Sequence, residues 1–291
     1  FAAWAIDVSY FMTARTQLQN AVDAAALAGA SGLLMSTDEA TNRAIQFAGR
    51  NDCINVPVQI SAADIAFPTS RRIRVTATRR LNTFFLRVFG VPQVSITRTA
   101  TAELAQVIST TGLRPWCVPN WGWSVGDIVT LKEGDSPGNP ASFYYPVDFP
   151  PINRGNPSSG ASAYRASIEH GTSSDVSIGD VLQVEPGKMV GPTKQGVDYL
   201  IGLDPNARWS NDAVVGSSYS GLSSPRIVKV PLFDPAILPD NGRSSVTVVA
   251  LAAFFIEGFQ GKDVVGRFIR IFSSGNVGNG VSMLYQVRLI L

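Results

Sequence analysis

The sequence is poor in charged residues. Asp, Glu, Lys and Arg make up 16% of the 291 residues, and the net charge is only +2, whereas charged residues usually account for about a quarter of a chain. A nearly neutral chain has no overall attraction to nucleic acid or to anionic surfaces. The apolar fraction of 45% is enough for a sizeable core and excludes wholesale disorder.

Histidine and cysteine are almost absent. His170 is the only histidine and lies far along the chain from Cys53 and Cys117, so no zinc-ligand spacing exists. There is no nucleophile elbow around His170, and no phosphate-binding glycine loop follows a strand. We therefore expect no enzyme activity, no metal and no cofactor, and interpret His170 as a turn or helix-end residue. In an exported chain we predict a Cys53–Cys117 disulfide, with two unpaired buried thiols as the alternative.

No apolar run is long enough to cross a bilayer. The stretch 1–12 is mostly apolar but is interrupted by Asp7 and Ser9. Because the first residue is Phe1, we expect a processed or truncated chain. The apolar side chains of this stretch surround the whole helix, so no rotation hides them all, and such a helix belongs in a membrane or a bundle. The candidate assembly residues are Phe1, Trp4, Ile6, Asp7, Val8, Phe11, Met12 and Arg15. If Asp7 is buried it needs a partner, and we expect a neighbouring amine or Arg15 in that role.

Helix signals dominate the first 50 residues and then change to strand signals. Residues 1–35 lack proline and are rich in alanine, which predicts a long helix ending near Gly32. Its small residues Ala21, Ala24, Ala25 and Ala28 favour close packing on its own domain. Thr37 is the predicted N-cap of a second helix reaching Arg50. Alternation then predicts a small α+β domain with strands at 56–60, 73–77 and 94–104 and a short helix at 81–89.

The remainder of the chain predicts a larger β-rich domain. We expect a doubly covered central strand at 246–256 and a long loop at 136–162. A segment beginning Ser124-Val125-Gly126-Asp127 is echoed at Ser177-Ile178-Gly179-Asp180. This repeat indicates either two related halves of a barrel or common turn chemistry. The predicted fold class is α+β: a helix at 1–35, a small α+β domain at 36–111, and a barrel or sandwich-like domain at 112–291.

Three further groups of residues have a functional and a structural interpretation. The acids of the repeat and its surroundings could bind calcium or act in glycoside hydrolysis, but turn formation is favoured; they are Asp127, Glu133, Asp135, Asp180 and Glu185. Seven arginines occur in a span without one acid; they are Arg71, Arg72, Arg74, Arg79, Arg80, Arg87 and Arg98. Arg72, Arg74 and Arg80 share a strand face that could meet phosphates or an acidic partner subunit, but a solvated outer face is the favoured interpretation. Trp121 and Trp123, near Trp116, could stack on sugars, although a hydrophobic plug is the simpler account.

Residues 16–30 read Thr-Gln-Leu-Gln-Asn-Ala-Val-Asp-Ala-Ala-Ala-Leu-Ala-Gly-Ala, after Ile6-Asp7-Val8 and Arg15. This segment resembles the N-terminal segment of TadG-like proteins of the Tad (Flp) pilus-assembly system, in which it continues an apolar membrane helix. The run Thr83–Gly90 is similar to the family's end-of-domain pattern, which extends the resemblance over residues 1–106. Many relatives carry a metal-binding Asp-x-Ser-x-Ser motif, which Asp7-Val8-Ser9-Tyr10-Phe11 breaks. Mature type IV pilins also begin with phenylalanine but have glutamate at the fifth position, where this chain has Ala5.

These observations predict a non-enzymatic structural or assembly subunit of a bacterial Tad/Flp-type pilus or pilus-like filament. It would assemble through the N-terminal helix, and the protein could itself polymerise. Its expected partners are other copies of itself, other pilus-system subunits, or the membrane through that helix, and not nucleic acid. The expected location is extracytoplasmic, at the cell surface, in a filament or anchored in the inner membrane. The alternatives are a surface carbohydrate-binding or adhesive module using Trp121 and Trp123, and a secreted hydrolase using the acids.

Overall fold

The computed structural model describes residues 2–133, 143–220, 222–237 and 245–290. The chain divides into two compact units, Phe1–Ala105 with Val287–Leu291, and Gln106–Gln286. The helices are α1 Ala2–Gly32, α2 Thr37–Gly49, α3 Ala161–His170 and α4 Val190–Leu203, with short 3₁₀ helices at Ala62–Asp64, Leu86–Phe89 and Ile152–Arg154. The strands are β1 Ile65–Thr69, β2 Arg72–Asn82, β3 Gln93–Thr110, β4 Trp116–Pro119, β5 Ile128–Glu133, β6 Phe143–Pro146, β7 Val176–Ser177, β8 Val181–Gln183, β9 Arg208–Ser210, β10 Ala213–Val215, β11 Ile227–Phe233, β12 Ser245–Gln260, β13 Asp263–Ile269, β14 Ile271–Phe272, β15 Asn276–Val277, β16 Val281–Ser282 and β17 Leu284–Ile290.

The two helices of the first unit pack through small side chains. On α2 the buried residues are Ala40, Ala44 and Ala48. Gly32 lies so close to α2 that a Cβ there would sit 2.6 Å from the Ala40 backbone. The prediction that the second half of α1 packs on its own domain is confirmed. The helix α2 begins with Ser36 as its N-cap, whose hydroxyl accepts the Glu39 N–H at 3.0 Å, one residue before the predicted cap.

The sheet of the first unit confirms two of the three predicted strands. The antiparallel hairpin β1–β2 leads to β3, and β17 continues the order β1-β2-β3-β17. On β2 the inward residues Ile73, Val75 and Ala77 are buried, as the alternation predicts. The chain-terminal strand β17 joins this unit through its residues 287–290, a return that no local pattern could indicate.

Two predictions in the first unit were wrong. Residues 56–60 form no strand, because a turn folds them back: Ile54 and Asn55 have positive φ, and the Val58 N–H donates to the Asn51 carbonyl. Val58 and Ile60 are buried, so their alternation reflects a loop packed on the helices. The predicted helix at 81–89 forms only at Leu86–Phe89, since its first residues belong to β2.

The second unit is built on an extended sheet around β12. Its strand order is β11-β4-β6-β5-β13-β12-β16, and β11 also pairs with β12. The predicted doubly covered strand at 246–256 is confirmed, because its central residues 250–256 are all buried. The end of β3 pairs with β7 and β15, and the start of β17 pairs with β14. The predicted α+β class, with a long N-terminal helix and a β-rich second part, is therefore confirmed.

Two helices of the second unit were missed. The predicted loop at 136–162 contains β6 and the 3₁₀ helix Ile152–Arg154, and residues 136–142 lie outside the described part of the chain. The helix α3 begins at Ala161, near the end of this predicted loop. The sequence of α4 contains three glycines and a proline, which argue against a helix. Packing overrides this preference, because a Cβ at Gly196 would lie 2.5 Å from a methyl carbon of Ile168 on α3.

The internal repeat is a pair of identical turns. The Ser124 N–H donates to the Asp127 carboxylate and the Ser177 N–H to that of Asp180, both at 2.7 Å. Gly126 and Gly179 have φ of 88° and 94°, which glycine adopts without strain. The strands that follow have different neighbours, since β5 pairs with β6 and β13 whereas β8 pairs with β12. Turn chemistry therefore accounts for the repeat.

Candidate functional site at the start of the N-terminal helix

The helix α1 changes character at Ala14. From this residue to its end a continuous stripe is buried in the core of the first unit; it includes Ala14, Leu18, Ala21, Val22, Ala25, Ala26 and Ala30. Before Ala14, the described side chains are mostly exposed although they are apolar. Trp4, Ile6, Val8 and Met12 each expose 50–59% of their surface. Trp4, Val8 and Met12 are the exposed helix face, and Ile6 lies on another side of α1; Phe1, predicted to belong with them, lies outside the described residues.

Asp7 is the exception within the exposed part of α1. It is fully buried, and its carboxylate accepts the backbone N–H groups of Phe84, Phe85 and Leu86 at 2.8, 2.9 and 2.8 Å. We expected an amine or Arg15 as its partner; the structure shows instead three donors from a segment 77–79 residues further along the chain. These donors are the unpaired N–H groups at the beginning of the Leu86–Phe89 helix, which a carboxylate satisfies well.

The electrostatics of Asp7 agree with this geometry. Burial raises the pKa of the Asp7 carboxyl, but the three backbone hydrogen bonds outweigh this effect and hold its pKa below the ordinary value of 3.8. The carboxylate is therefore ionised at neutral pH and fixes the start of α1 to residues 84–86. Tyr10 adds an edge-on contact with Phe84, with ring centroids 5.1 Å apart.

The segment that Asp7 holds carries a second group of exposed apolar side chains. Val88 and Phe89 expose 80% and 70% of their surface. The other members are Phe84, Phe85 and Val91, and we call residues 84–91 the aromatic turn. Gly90 closes it in the left-handed region at φ 80°. This surface was not predicted, because the apolar run around Arg87 is typical of a helix packed on a core.

A shallow groove runs beside the exposed helix face. It has a volume of 360 Å³ and lies between α1 and the start of β3; its lining is Val8, Phe11, Met12, Arg15, Ser95, Ile96, Thr97 and Arg98. Its floor is apolar, and Arg15 and Arg98 bring two positive charges to it. Phe11 is only partly buried and packs against the core of the first unit. The groove therefore combines apolar contact with cationic groups.

The predicted disulfide is not formed. Cys53 and Cys117 are both free and buried. Cys53 belongs to the core of the first unit, where its thiol donates to the Ala14 carbonyl at 3.5 Å. Cys117 belongs to a core of the second unit, and burial raises the pKa of its thiol well above the ordinary value of 9.0. Each thiol is thus part of a different core, and the alternative of two unpaired buried thiols describes the structure.

The tryptophans do not form a common binding surface. Trp116 is fully buried, and its indole N–H donates to the Tyr164 hydroxyl at 3.0 Å. Trp123 is partly buried and stacks on Phe268 with ring centroids 5.0 Å apart. Of these three tryptophans, Trp121 is the exposed one, at 44%. The stack occupies one face of the Trp123 ring, and sugar binding by Trp121 and Trp123 stays a prediction.

The other predicted groups have structural roles. Asp127 and Asp180 close turns, and Asp180 also pairs with Arg154 at 2.7 Å; Asp135 and the side chain of Glu133 lie outside the description. His170 is the exposed last residue of α3. Among the described residues, no cluster of three or more His, Cys, Asp or Glu could hold a metal ion. The arginines Arg72, Arg74 and Arg80 are exposed on one face of β2, where Thr76 and Thr78 bond to Thr99 and Thr97.

A buried pair of carboxyl groups in the second unit was not predicted. Asp148 and Glu185 expose only 2% and 5% of their surface. Their segments are paired, since the Asp148 N–H donates to the Gln183 carbonyl and the Glu185 N–H to the Pro146 carbonyl. Burial, followed by the adjacent Glu185 carboxyl, raises the pKa of Asp148 to about 8. The buried environment therefore favours the protonated form of Asp148.

Comparisons with known proteins identify one segment. Residues 1–32 match a family model described as putative Flp pilus-assembly TadE/G-like. No curated protein and no solved structure matches the chain. In the part of the chain that the structure describes, no helix combines the length and hydropathy needed to cross a membrane. The similarity of Thr83–Gly90 to the family pattern lies beyond the matched residues and stays a prediction.

The matched range coincides with α1, which ends at Gly32. It therefore includes both the buried stripe and the exposed helix face with Asp7. The helix motif of the sequence had indicated the same family, and that prediction is confirmed. Over residues 1–32 the chain is therefore similar to the TadE/G-like family of Flp pilus assembly.

Proposed function

We propose that this chain is a non-enzymatic structural or assembly subunit of a Tad/Flp-type pilus system, and that the exposed helix face is its assembly contact. The family match supports a pilus-related role and a location in the cell envelope or at its surface. The observation that carries the proposal is the contrast within α1, whose second half is buried in its own unit while its first half exposes large apolar side chains. The partners would be other copies of the chain or other subunits of the pilus system.

The exposed helix face is suited to helix–helix contact. Trp4, Val8 and Met12 follow one another at intervals of four residues and so lie on one side of α1. Each apolar side chain of this size that is removed from water contributes about 1.5–3 kcal/mol. Because Asp7 is already bonded within its own unit, a partner on this face meets no unpaired carboxylate.

The proposal is tested by replacing Trp4, Val8 and Met12 with serine in the full chain. The gene is restored to a strain that lacks it, and pili are counted by electron microscopy. We expect the triple variant to be produced and folded but to restore few or no pili. Val281→Ser is the matched control, because Val281 is 63% exposed on the second unit, and it should restore pili fully.

Two results would overturn the proposal. One is a triple variant that restores pili as well as the parent chain does. The other is native protein that is purified without detergent as a stable monomer retaining residues 1–12. In the second case nothing covers the exposed helix face, and it is not an assembly contact.

A further inference from the structure

We infer that the aromatic turn is a second contact element, and that it inserts into the surface of an anionic lipid bilayer beside the start of α1. The observation behind this inference is independent of the family match, which ends at residue 32. It deepens the proposed function, because it adds a lipid surface to the same end of the first unit. The bilayer contact involves residues 84–91 and the arginines around them, not a membrane-spanning segment.

The composition of the aromatic turn suits a bilayer interface. Val88 and Phe89 are largely exposed at 80% and 70%, and Phe84 at 53%. Monomeric soluble proteins rarely leave large apolar side chains grouped in this way, and such a group marks a contact surface. Aromatic and aliphatic side chains that project from a short helix can bury themselves at the headgroup boundary while the backbone stays in the polar region.

The attachment of the aromatic turn makes insertion with α1 possible. Asp7 accepts three backbone N–H groups from its first residues, and the Thr83 hydroxyl donates to the Val91 carbonyl at its end, at 2.6 Å. Both ends of the turn are therefore fixed. The aromatic turn is consequently a preformed element held beside the start of α1, and little ordering remains to be done on binding.

Charge decides between a lipid surface and a second copy of the chain. Arg87 lies within the aromatic turn, and Arg15 and Arg98 line the groove along the same part of α1; none of the three has a carboxylate partner among the residues that the structure describes. In the segments 2–15 and 79–98, Asp7 is the one acidic residue, and it is buried. Two copies that met through their aromatic turns would bring their Arg87 side chains together, whereas anionic headgroups attract basic residues by about 1 kcal/mol each.

The test measures how the full chain floats with lipid vesicles. One set of vesicles contains phosphatidylcholine alone, and the other contains equal parts of phosphatidylcholine and phosphatidylglycerol. We expect stronger binding to the anionic vesicles. Combining Val88→Ser with Phe89→Ser should reduce that binding at least about tenfold. Arg87→Gln should reduce it about fivefold and leave binding to the neutral vesicles unchanged.

Controls separate this inference from its alternatives. Val281→Ser should bind within about twofold of the parent chain, and all variants should keep their thermal midpoints, since the replaced side chains are exposed. The inference is overturned if the Val88/Phe89 variant binds anionic vesicles like the parent. It is also overturned if that variant dissociates an oligomer in sedimentation without changing vesicle binding. If the chain binds anionic vesicles as expected but the triple serine variant of Trp4, Val8 and Met12 restores pili, the proposed function is refuted and this inference stands.

Discussion

Replacing Gly32 by alanine tests how closely α1 and α2 pack. In a helix, alanine is normally better than glycine by up to about 1 kcal/mol. At Gly32, however, the added Cβ would lie 2.6 Å from both the Cα and the N of Ala40, and 2.9 Å from the carbonyl carbon of Glu39. Ordinary contacts of a Cβ are about an ångström longer, and backbone atoms cannot rotate away as a side chain can. The two helices must therefore separate.

The two effects oppose each other, and the structure indicates which is larger. Forcing an extra carbon into a closely packed core costs about 1–3 kcal/mol, which exceeds the gain from helix propensity. We expect Gly32→Ala to lower the free energy of unfolding of the first unit by about 1–2 kcal/mol. Gly49→Ala is the matched control, because Gly49 ends α2 and a Cβ there meets nothing within 4 Å. It should be neutral or stabilising by up to about 1 kcal/mol.

The measurement is urea unfolding of the full chain, followed by far-UV circular dichroism, with the two variants compared with the parent. Opposite signs of the two changes support the packing of α1 on α2. If Gly32→Ala stabilises the protein as much as Gly49→Ala does, the close approach of the helices is wrong. The second half of α1 would then not be an integral part of the first unit, and the contrast that defines the exposed helix face would disappear.

Three further predictions concern buried ionisable groups. Because the pKa of Asp7 is lowered in the fold, its contribution to stability is present above pH 3.8 and is lost as the pH falls through the folded pKa; Asp7→Asn should flatten this acid dependence and increase hydrogen exchange at Phe84. Because the pKa of Asp148 is raised to about 8, stability should fall as the pH rises from about 4 to about 8, by at most about 1.4 kcal/mol per unit before solvent screening; Asp148→Asn should remove this slope in urea titrations. Non-reducing mass spectrometry after denaturation and alkylation should find Cys53 and Cys117 both modified, and a mass lower by two hydrogen atoms with neither cysteine modified would show a disulfide.

The sequence predicted best those elements whose burial follows a single period. Alanine-rich helices and the alternating strand around Val75 were recognised because each buries one side. The same reasoning misplaced a strand at 56–60, where a turn at Ile54 and Asn55 produces the same alternation. In α4 the glycines and proline hid a helix that exists because Gly196 lets it approach Ile168.

The candidate site could be predicted only in part. The helix motif identified the family and the apolar start of α1, because these are local features of the sequence. The partner of Asp7 could not be predicted, since Phe84–Leu86 lie 77–79 residues away, and backbone N–H groups leave no trace in residue identity. The exposure of Val88 and Phe89 could not be predicted either, because an apolar run ordinarily indicates residues of a core.

The return of β17 to the first unit has a consequence for the order of events during synthesis. Residues 287–290 belong to the same unit as residues 2–105, so the second unit interrupts the first in the chain. A ribosome that adds about 5–20 residues per second needs on the order of 10 s or more to make residues 106–286. Throughout this interval the sheet β1-β2-β3 lacks its last strand, and Glu103 lacks Arg288, its partner from β17. The first unit begins to emerge before the second but is completed after it. Any chaperone that binds the nascent chain during this interval can contact the unpaired edge of the sheet β1-β2-β3.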